Sequence, residues 1–276
     1  YLDEGYAERL GDGVLYKALA TGAFTYQGED QTAYIDDFKQ INKVGGQDLQ
    51  PVIDLIAWVE KATDAEFAAG LAERVDVASF ARYAALQNLL LNFDDMAGPG
   101  RNYYLWYDLD RKKFTVVNWD LNFAFSGDPT AGPHDGVNRF GGGRRLVDLG
   151  GPPQTGRPQG GQAPGGRIQG GPPQDMRPPD GPGRRLILRG PVMGHALKDR
   201  FLASPAFKGL YEEQYRALYQ KLYGNGTAEQ VLDGLVASYK RNAGADTAAV
   251  EADAVNLRTL LQNRTTALAS HEVIAG

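Results

Sequence analysis

The sequence predicts an α+β fold in which one central β-hairpin accompanies a larger helical part. Two runs rich in aromatic and β-branched residues, Tyr103–Tyr107 and Phe114–Trp119, flank the polar segment Asp108–Lys113. This pattern is typical of an antiparallel hairpin with a longer loop. Apolar residues on both sides of the hairpin recur mainly at helical spacing. With 276 residues, 42% of them hydrophobic, the chain can bury a sizeable core as one large or two modest domains.

Three helices are predicted before the hairpin. A capping box, Thr63-x-x-Glu66, begins the second helix. The third covers Val77–Leu91 with Asp76 as its N-cap, and because it is apolar on most sides we expect it to be buried. It would then support the residues that follow it on a stiff element. The apolar face of the first helix consists of Leu49, Val52, Ile53, Ile56 and Val59.

The chain after residue 190 is predicted to be helical throughout. Ser204-Pro205 begins one helix, Gly224 is expected to end it, and Thr227 is expected to cap the next. Tyrosines at four-residue spacing along the first of these helices predict core packing rather than a ligand surface. They are Tyr211, Tyr215, Tyr219 and Tyr223.

A segment rich in Gly, Pro and Arg, residues 140–189, is predicted to be a flexible insertion. Gly and Pro make up 20 of the 34 residues of 150–183. The segment therefore has too few apolar groups to offset the entropy lost on ordering. The stretch Arg139–Arg189 holds nine Arg against three Asp. Two interpretations remain open: a neutral insertion, or a basic tether that holds an acidic or phosphorylated partner near the site.

Composition excludes several classes of site. The chain has no Cys, which excludes a disulfide framework, a thiol nucleophile and thiolate metal sites. Its three His lie far apart without the spacing of a zinc site. No apolar run approaches the roughly 18 residues of a membrane span. We expect neither a membrane span in this chain nor a nucleic-acid partner.

Carboxylates and amides lie at both ends of the predicted hairpin. Antiparallel pairing brings the start of the first strand beside the end of the second, so Asn102 is expected close to Asp120. Asp94 and Asp95 lie in the loop that leads into the hairpin. Oxygen ligands of this kind suit Mg²⁺, which prefers one or two carboxylates together with water and substrate phosphates.

Protein kinases use the same order of residues: a loop Asp near the substrate hydroxyl, then an Asn and a second Asp that hold the metal. Here seven residues separate Asp94 from Asn102, more than in the protein-kinase catalytic loop, and neither an HRD nor a DFG triplet occurs. The residue pattern alone therefore predicts a site for a divalent cation and phosphate, and no more.

These residues and their flanks resemble the CotH family, atypical kinases first associated with the bacterial spore coat. The family segment of the type NxDxx…NYYLY…F..IPWDLDxxFG is matched by Asn92–Asp94, Asn102–Trp106 and Val117–Phe125. Upstream, Gly13–Ala18 is similar to the family's GNLYKA. Downstream, His195–Tyr211 is similar to its later helices. Apart from the insertion, the resemblance covers most of the chain.

The resemblance implies a protein-kinase-like fold made mostly of the helical C-lobe, with a catalytic β-hairpin. It implies that Asp94 is the catalytic-loop Asp and that Asp120 is both catalytic and a metal ligand. Asn102 is implied to bind metal and nucleotide. Lys17 is a candidate contact for a nucleotide phosphate, with a packing role at the domain seam as the alternative.

Two departures from the family pattern affect these assignments. Asn122 stands where the family has the second acid of WDLD, which keeps an oxygen ligand but removes a charge from the metal site. Asp95 remains an alternative to Asp94, because the loop is long enough to present either carboxylate.

The resemblance also predicts the domain organisation. The chain is expected to lack the upstream part of the family's N-lobe, including the turn and the basic strand that hold nucleotide phosphates. The predicted units are a remnant of the N-lobe and inter-lobe segment at 1–45, the catalytic C-lobe core at 46–139 with the hairpin at 102–119, the insertion at 140–189, and the C-terminal helical part at 190–276.

The function implied by the resemblance is transfer of the ATP γ-phosphoryl group to Ser or Thr, with ATP and Mg²⁺ as cofactors. The expected partner is a Ser/Thr-rich surface or coat protein, and the expected location is extracellular or on the bacterial cell surface, with the spore coat or cytoplasm as alternatives. Two rival functions remain: a catalytically inactive binding module, and a calcium-stabilised binding module of a cell-surface protein.

Overall fold

A small antiparallel sheet lies among a larger set of helices, which confirms the predicted α+β class. The computed structural model describes residues 12–42, 45–136, 194–242 and 244–276. The predicted insertion at 140–189 lies outside the described residues. The boundaries of the four predicted units stay predictions.

In the described part of the chain the sheet has four strands, β1 (Gly13–Ala18), β2 (Phe38–Gln40), β3 (Tyr103–Asp108) and β4 (Lys113–Asn118), in the order β2-β1-β3-β4. The predicted hairpin is confirmed, since β3 and β4 pair antiparallel with Tyr103 opposite Asn118. Two further strands were not predicted: β1 pairs with both β2 and β3, and a 3₁₀ turn at Gln31–Tyr34 precedes β2.

Three α-helices lie between β2 and β3 in the described chain, as predicted. The capping box is formed, because Thr63 accepts from the backbone of Glu66 while the Glu66 carboxylate accepts from the backbone of Thr63. Asp76 caps the third helix by accepting from the N–H of Ser79 at 3.0 Å. The helices are α1 (Gln50–Lys61), α2 (Asp64–Arg74) and α3 (Val77–Leu89).

The described residues after 194 are helical, as predicted, but one helix boundary differs. A π-helical turn, Gln220–Gly224, continues the second helix, and the left-handed residue is Gly226, with φ of 77°. Gly226 rather than Thr227 is the N-cap of the following helix. None of the helices in the described ranges has the length and hydrophobicity needed to cross a membrane. The helices are α4 (Ala196–Ala203), α5 (Pro205–Tyr219), α6 (Thr227–Lys240), α7 (Thr247–Ala269) and α8 (Glu272–Ala275).

The tyrosine stripe of α5 and the π turn lies in the core, which confirms the predicted packing role. Helix α3 packs along α5, and all four rings are buried. Each hydroxyl also donates a hydrogen bond, so the stripe fixes polar groups as well as apolar ones. The acceptors are the carbonyls of Pro133, Thr265 and Leu89 and the side-chain oxygen of Asn88.

A buried arginine of α7 joins the C-terminal end of α3 to a neighbouring loop. Arg264 is fully buried, and its guanidinium donates to the backbone carbonyl of Asn88 at 3.0 Å and to that of Leu89 at 3.4 Å. It also donates to the carbonyls of Pro129 and Ala131. A cation near the C-terminus of a helix interacts favourably with the helix dipole. Arg264 therefore stabilises both the end of α3 and the loop beside it.

Replacing Arg264 with Met should lower the free energy of unfolding by about 3 kcal/mol, because several buried carbonyls lose their donors at once. Denaturant unfolding followed by circular dichroism measures the change. Arg258→Met is the matched control on the same helix, since Arg258 pairs with Asp233 at the surface and should cost no more than about 1 kcal/mol. Equal losses for the two variants would contradict the role given to Arg264.

Candidate active site

The buried helix α3 ends in a tight turn that leads directly into the predicted catalytic residues. The N–H of Leu91 donates to the carbonyl of Asn88 at 2.9 Å, and the N–H of Asn92 donates to that of Gln87 at 3.0 Å. This pair of bonds is the Schellman motif, in which the residue after the cap adopts a left-handed conformation. Leu91 does so with φ of 51°, although it is not glycine. The strain indicates a turn that the surrounding core enforces.

The predicted catalytic residue Asp94 lies in a folded loop, Asn92–Asn102, which we call the acidic loop. Its carboxylate is buried, with Oδ1 accepting from the N–H of Gly100 and Oδ2 accepting from Nδ2 of Asn102 at 3.0 Å. The structure thus brings the predicted catalytic Asp into direct contact with the predicted metal-binding Asn. Each carboxylate oxygen keeps a further lone pair for a substrate group.

Two glycines allow the acidic loop to close around Asp94. A Cβ at Gly98 would lie 2.4 Å from the Cα of Asp94 and 2.4 Å from the carbonyl oxygen of Phe93. A Cβ at Gly100 would lie 2.5 Å from Oδ2 of Asp94 and 2.8 Å from Nδ2 of Asn102. The sequence indicated only a loop here, whereas in the structure a Cβ at either position would collide with Asp94 as it is now placed.

A chain of buried amides connects the acidic loop to the end of β4. Nε2 of Gln87 donates to Oδ1 of Asn118 at 2.7 Å, while Oε1 of Gln87 accepts from Nδ2 of Asn92 at 2.8 Å. Oδ1 of Asn92 in turn accepts from the N–H of Asp94 at 3.2 Å. Because Asn118 lies two residues before Asp120, the same amide chain supports both predicted acids. Gln87 was not predicted from the sequence, because the pattern of α3 indicated only a mostly apolar, buried helix.

The two adjacent carboxylates of the acidic loop have different surroundings. Asp95 forms an ion pair with Lys198 of α4, and its Oδ1 accepts from the N–H of Ala97 at 2.8 Å. Asp94 instead faces Asn102. The choice of Asp94 over Asp95 as the catalytic residue stays a prediction, and this difference in partners supports it. Nothing in the sequence pointed to Lys198, which lies 103 positions from Asp95.

The predicted metal ligand Asp120 follows β4 at the same end of the hairpin as Asn102. Its backbone is left-handed, with φ of 47°, and its Oδ1 accepts from the N–H of Asn122 at 3.3 Å. The side chains of Asp120 and Asn122 are both exposed. Left-handed backbone in a non-glycine residue costs about 1–3 kcal/mol and is concentrated at functional sites. The roles of these residues as metal ligands stay predictions.

The side chain of Lys17 lies against aromatic rings beside Asp120. Its Nζ is 4.9 Å from the centroid of the Trp119 ring and 5.6 Å from that of Tyr104. These contacts are cation–π interactions that attract the ammonium to the ring faces. A nucleotide phosphate would have to compete with the two rings for Lys17, whose predicted phosphate contact is untested.

The oxygen groups at this end of the hairpin are of the kind used by a metal that also binds a substrate. Within the described ranges, no three His, Cys, Asp or Glu side chains are grouped as a metal cage. Asp94, Asn102 and Asp120 offer two carboxylates and one amide at one end of the hairpin. This donor set suits Mg²⁺, which uses few protein ligands and completes its shell with water and phosphate.

A buried histidine packs behind the acidic loop. Nε2 of His195 lies 2.9 Å from the hydroxyl of Tyr103, and its ring lies 4.3 Å from that of Phe24. Nδ1 is buried without a hydrogen-bond partner among the described residues. Burial lowers the pKa of the imidazole well below its usual range, and the nearby cations Arg101 and Lys198 lower it further. His195 is therefore neutral in the folded protein.

The succession of an acidic loop, a β-hairpin and a second Asp is that of a kinase-like protein. A family model described as CotH kinase protein matches residues 1–251, and the chain belongs to this family. The match confirms the resemblance found in the sequence. A search of curated proteins finds no match to the chain.

Replacing Gly98 with Ala should destabilise the protein by about 2 kcal/mol, because the added methyl group overlaps the backbone of Asp94. Thermal and denaturant unfolding measure this loss. Gly209→Ala is the matched control, since a Cβ at this helical position has no neighbour within 4 Å. It should stabilise by about 0.5–1 kcal/mol through helix propensity. Tolerance of Ala at Gly98 would contradict the tight closure of the acidic loop.

The stability of the protein should depend on pH through His195. The folded pKa is depressed below the ordinary value of 6.5, so the unfolded state binds the extra proton. The contribution is complete above that value and is lost as the pH falls, by about 2 kcal/mol between pH 7 and pH 5. Denaturant unfolding across this range should show a smaller pH dependence for His195→Gln than for the wild type.

His134→Gln is the control for the pH experiment, because His134 is 42% exposed and lies beside Glu212 at the surface. This variant should keep the pH dependence of the wild type. If His195→Gln also kept it, titration of His195 would not be its source.

Proposed function

We propose that the chain is a Mg²⁺-dependent protein kinase that transfers the γ-phosphoryl group of ATP to a Ser or Thr hydroxyl. Membership of the CotH kinase family supports a kinase-like activity. The observation that carries the finer proposal is the direct contact between Asp94 and Asn102 at the end of the hairpin that leads to Asp120.

Asp94 orients the acceptor hydroxyl and takes its proton during transfer. The hydrogen bonds from Gly100 and Asn102 hold the carboxylate in one orientation before the substrate arrives. Phosphoryl transfer requires little covalent chemistry from the protein, so fixed positioning accounts for most of the catalytic effect.

Asp120 and Asn102 would hold the metal, with Asn122 as an additional oxygen ligand. Since Nδ2 of Asn102 points to Asp94, its Oδ1 is the atom left for a cation. Bound Mg²⁺ would neutralise charge on the phosphates as the bond to the leaving group breaks. The uncharged Asn122 favours a single strongly held cation over a pair.

The substrate and the location are parts of the same proposal. A Ser/Thr-rich protein of the cell surface or spore coat is the acceptor, and the protein acts outside the cell or at its surface. The support for both comes from the family alone. ATP binds at the end of the hairpin. Lys17 then leaves the rings of Trp119 and Tyr104 and contacts the phosphates of ATP.

The proposal predicts that Asp120→Ala removes metal-dependent phosphate transfer to a Ser/Thr-rich peptide, by at least about a hundredfold in kcat. Radiolabelled ATP and excess peptide give the rate, with Mg²⁺ present or chelated. Asp110→Ala is the control, because this residue lies in the exposed turn of the same hairpin and should leave the rate unchanged. Retention of wild-type turnover by Asp120→Ala would overturn the metal assignment.

Isothermal titration separates the kinase from its rivals. A kinase binds Mg²⁺ with ATP, and Asp120→Ala weakens that binding. Binding of Ca²⁺ alone, without affinity for nucleotide, would instead identify a calcium-stabilised module. Nucleotide binding without any transfer would identify an inactive binding module.

A further inference from the structure

We propose that Lys198 is a positioning residue of the kinase, which fixes the acidic loop by neutralising Asp95 so that Asp94 alone faces the substrate. The inference rests on the proposed function for its effect on catalysis. Its effect on the loop itself can be measured independently of any activity.

The start of α4 is attached to the acidic loop at several points. The N–H of Gly194 donates to the carbonyl of Ala97 at 2.9 Å, and the carbonyl of Gly194 accepts from Nη1 of Arg101 at 2.7 Å. Lys198, in the first turn of α4, forms the ion pair with Asp95. The loop is thus held by backbone contacts at one end of this interface and by a charge pair at the other.

The ion pair is sensitive to the loss of either charge, because both side chains are largely buried. The side chain of Asp95 is 2% exposed and that of Lys198 is 15% exposed. A buried carboxylate that loses its cation leaves an uncompensated charge, and this is far more costly than removing both charges together. Removing Lys198 should therefore cost more stability than removing a lysine that pairs with a carboxylate at the surface.

The consequence for catalysis follows from the short distance along the chain. Asp94 and Asp95 are adjacent, so a shift of Asp95 rotates the backbone that carries Asp94. Asp95 also holds the following residues of the loop. The N–H of Ala97 donates to its side chain, and the N–H of Gly98 donates to its backbone carbonyl. If Asp95 moved towards water, these bonds and the contact of Asp94 with Asn102 would be lost together.

The test compares Lys198→Met, Lys198→Arg and the double variant Asp95→Asn/Lys198→Met. Amide hydrogen exchange of peptides covering residues 95–101 reports the loop directly, and Lys198→Met should speed it about tenfold or more. The kcat for peptide phosphorylation should fall roughly tenfold to a hundredfold, with a smaller change in KM for ATP, because neither Lys198 nor Asp95 is a proposed ligand of the metal or the nucleotide. Lys208→Met, at an exposed position on α5, should change neither quantity.

The two rescue variants separate positioning from general loss of structure. Lys198→Arg keeps a cation and should retain most of the exchange protection and of kcat. The double variant removes both buried charges, so it should be better protected and more active than Lys198→Met. If Lys198→Met fails to fold, the double variant and Lys198→Arg are compared with the wild type instead.

Unchanged exchange in Lys198→Met, or a double variant with less protection than the single one, would overturn the positioning role. Absence of phosphate transfer in the wild type would count against the proposed function only, because the exchange measurements still decide whether Lys198 fixes the loop. A fall in kcat without any change in exchange would also refute the proposal.

Discussion

The C-terminal end of α3 is the constraint on which the site depends. A helix leaves its last four carbonyls without partners inside the helix, and here that end is in the core. The carbonyls of residues 87–90 all accept hydrogen bonds from donors beyond the helix. These donors are the N–H groups of Leu91, Asn92 and Phe125, the hydroxyl of Tyr223 and the guanidinium of Arg264. The helix can therefore stop within the core, immediately before the acidic loop.

This ending also ties the two predicted acids together. The N–H of Phe125 donates to the carbonyl of Leu90 at 2.6 Å, so the segment that contains Asp120 is attached to the same helix end as the segment that contains Asp94. The amide chain through Gln87 makes a second connection. Leu91, Asp120 and Phe125 are all left-handed, with φ of 51°, 47° and 63°. Conformational strain is thus present in both segments.

Local patterns in the sequence were sufficient to predict most helices and the hairpin, but not the contacts between these elements. The hairpin follows from its two runs of aromatic and β-branched residues, α3 from its apolar composition, and the cap at Asp76 from a short-range side-chain bond. The pairing of β1 with β3 joins residues about ninety positions apart, and the bonds of Lys198 and Arg264 reach farther still. Such contacts have no local signature, because their energy arises from burial that only the folded chain creates. The family motif located the acidic loop, while the glycine requirement and the ion pair of Asp95 came from the structure.

The spacing of the tyrosines has a further geometric meaning. In an α-helix of 3.6 residues per turn, positions four apart advance by about 40° around the axis, so a long stripe of this kind winds away from its partner. The π-helical turn at Gln220–Gly224 has more residues per turn and reverses part of that advance at the last tyrosine. Tyr223 consequently reaches the end of α3, where its hydroxyl completes the set of donors. A long four-residue repeat of buried side chains thus indicates that the helical pitch changes somewhere along the stripe.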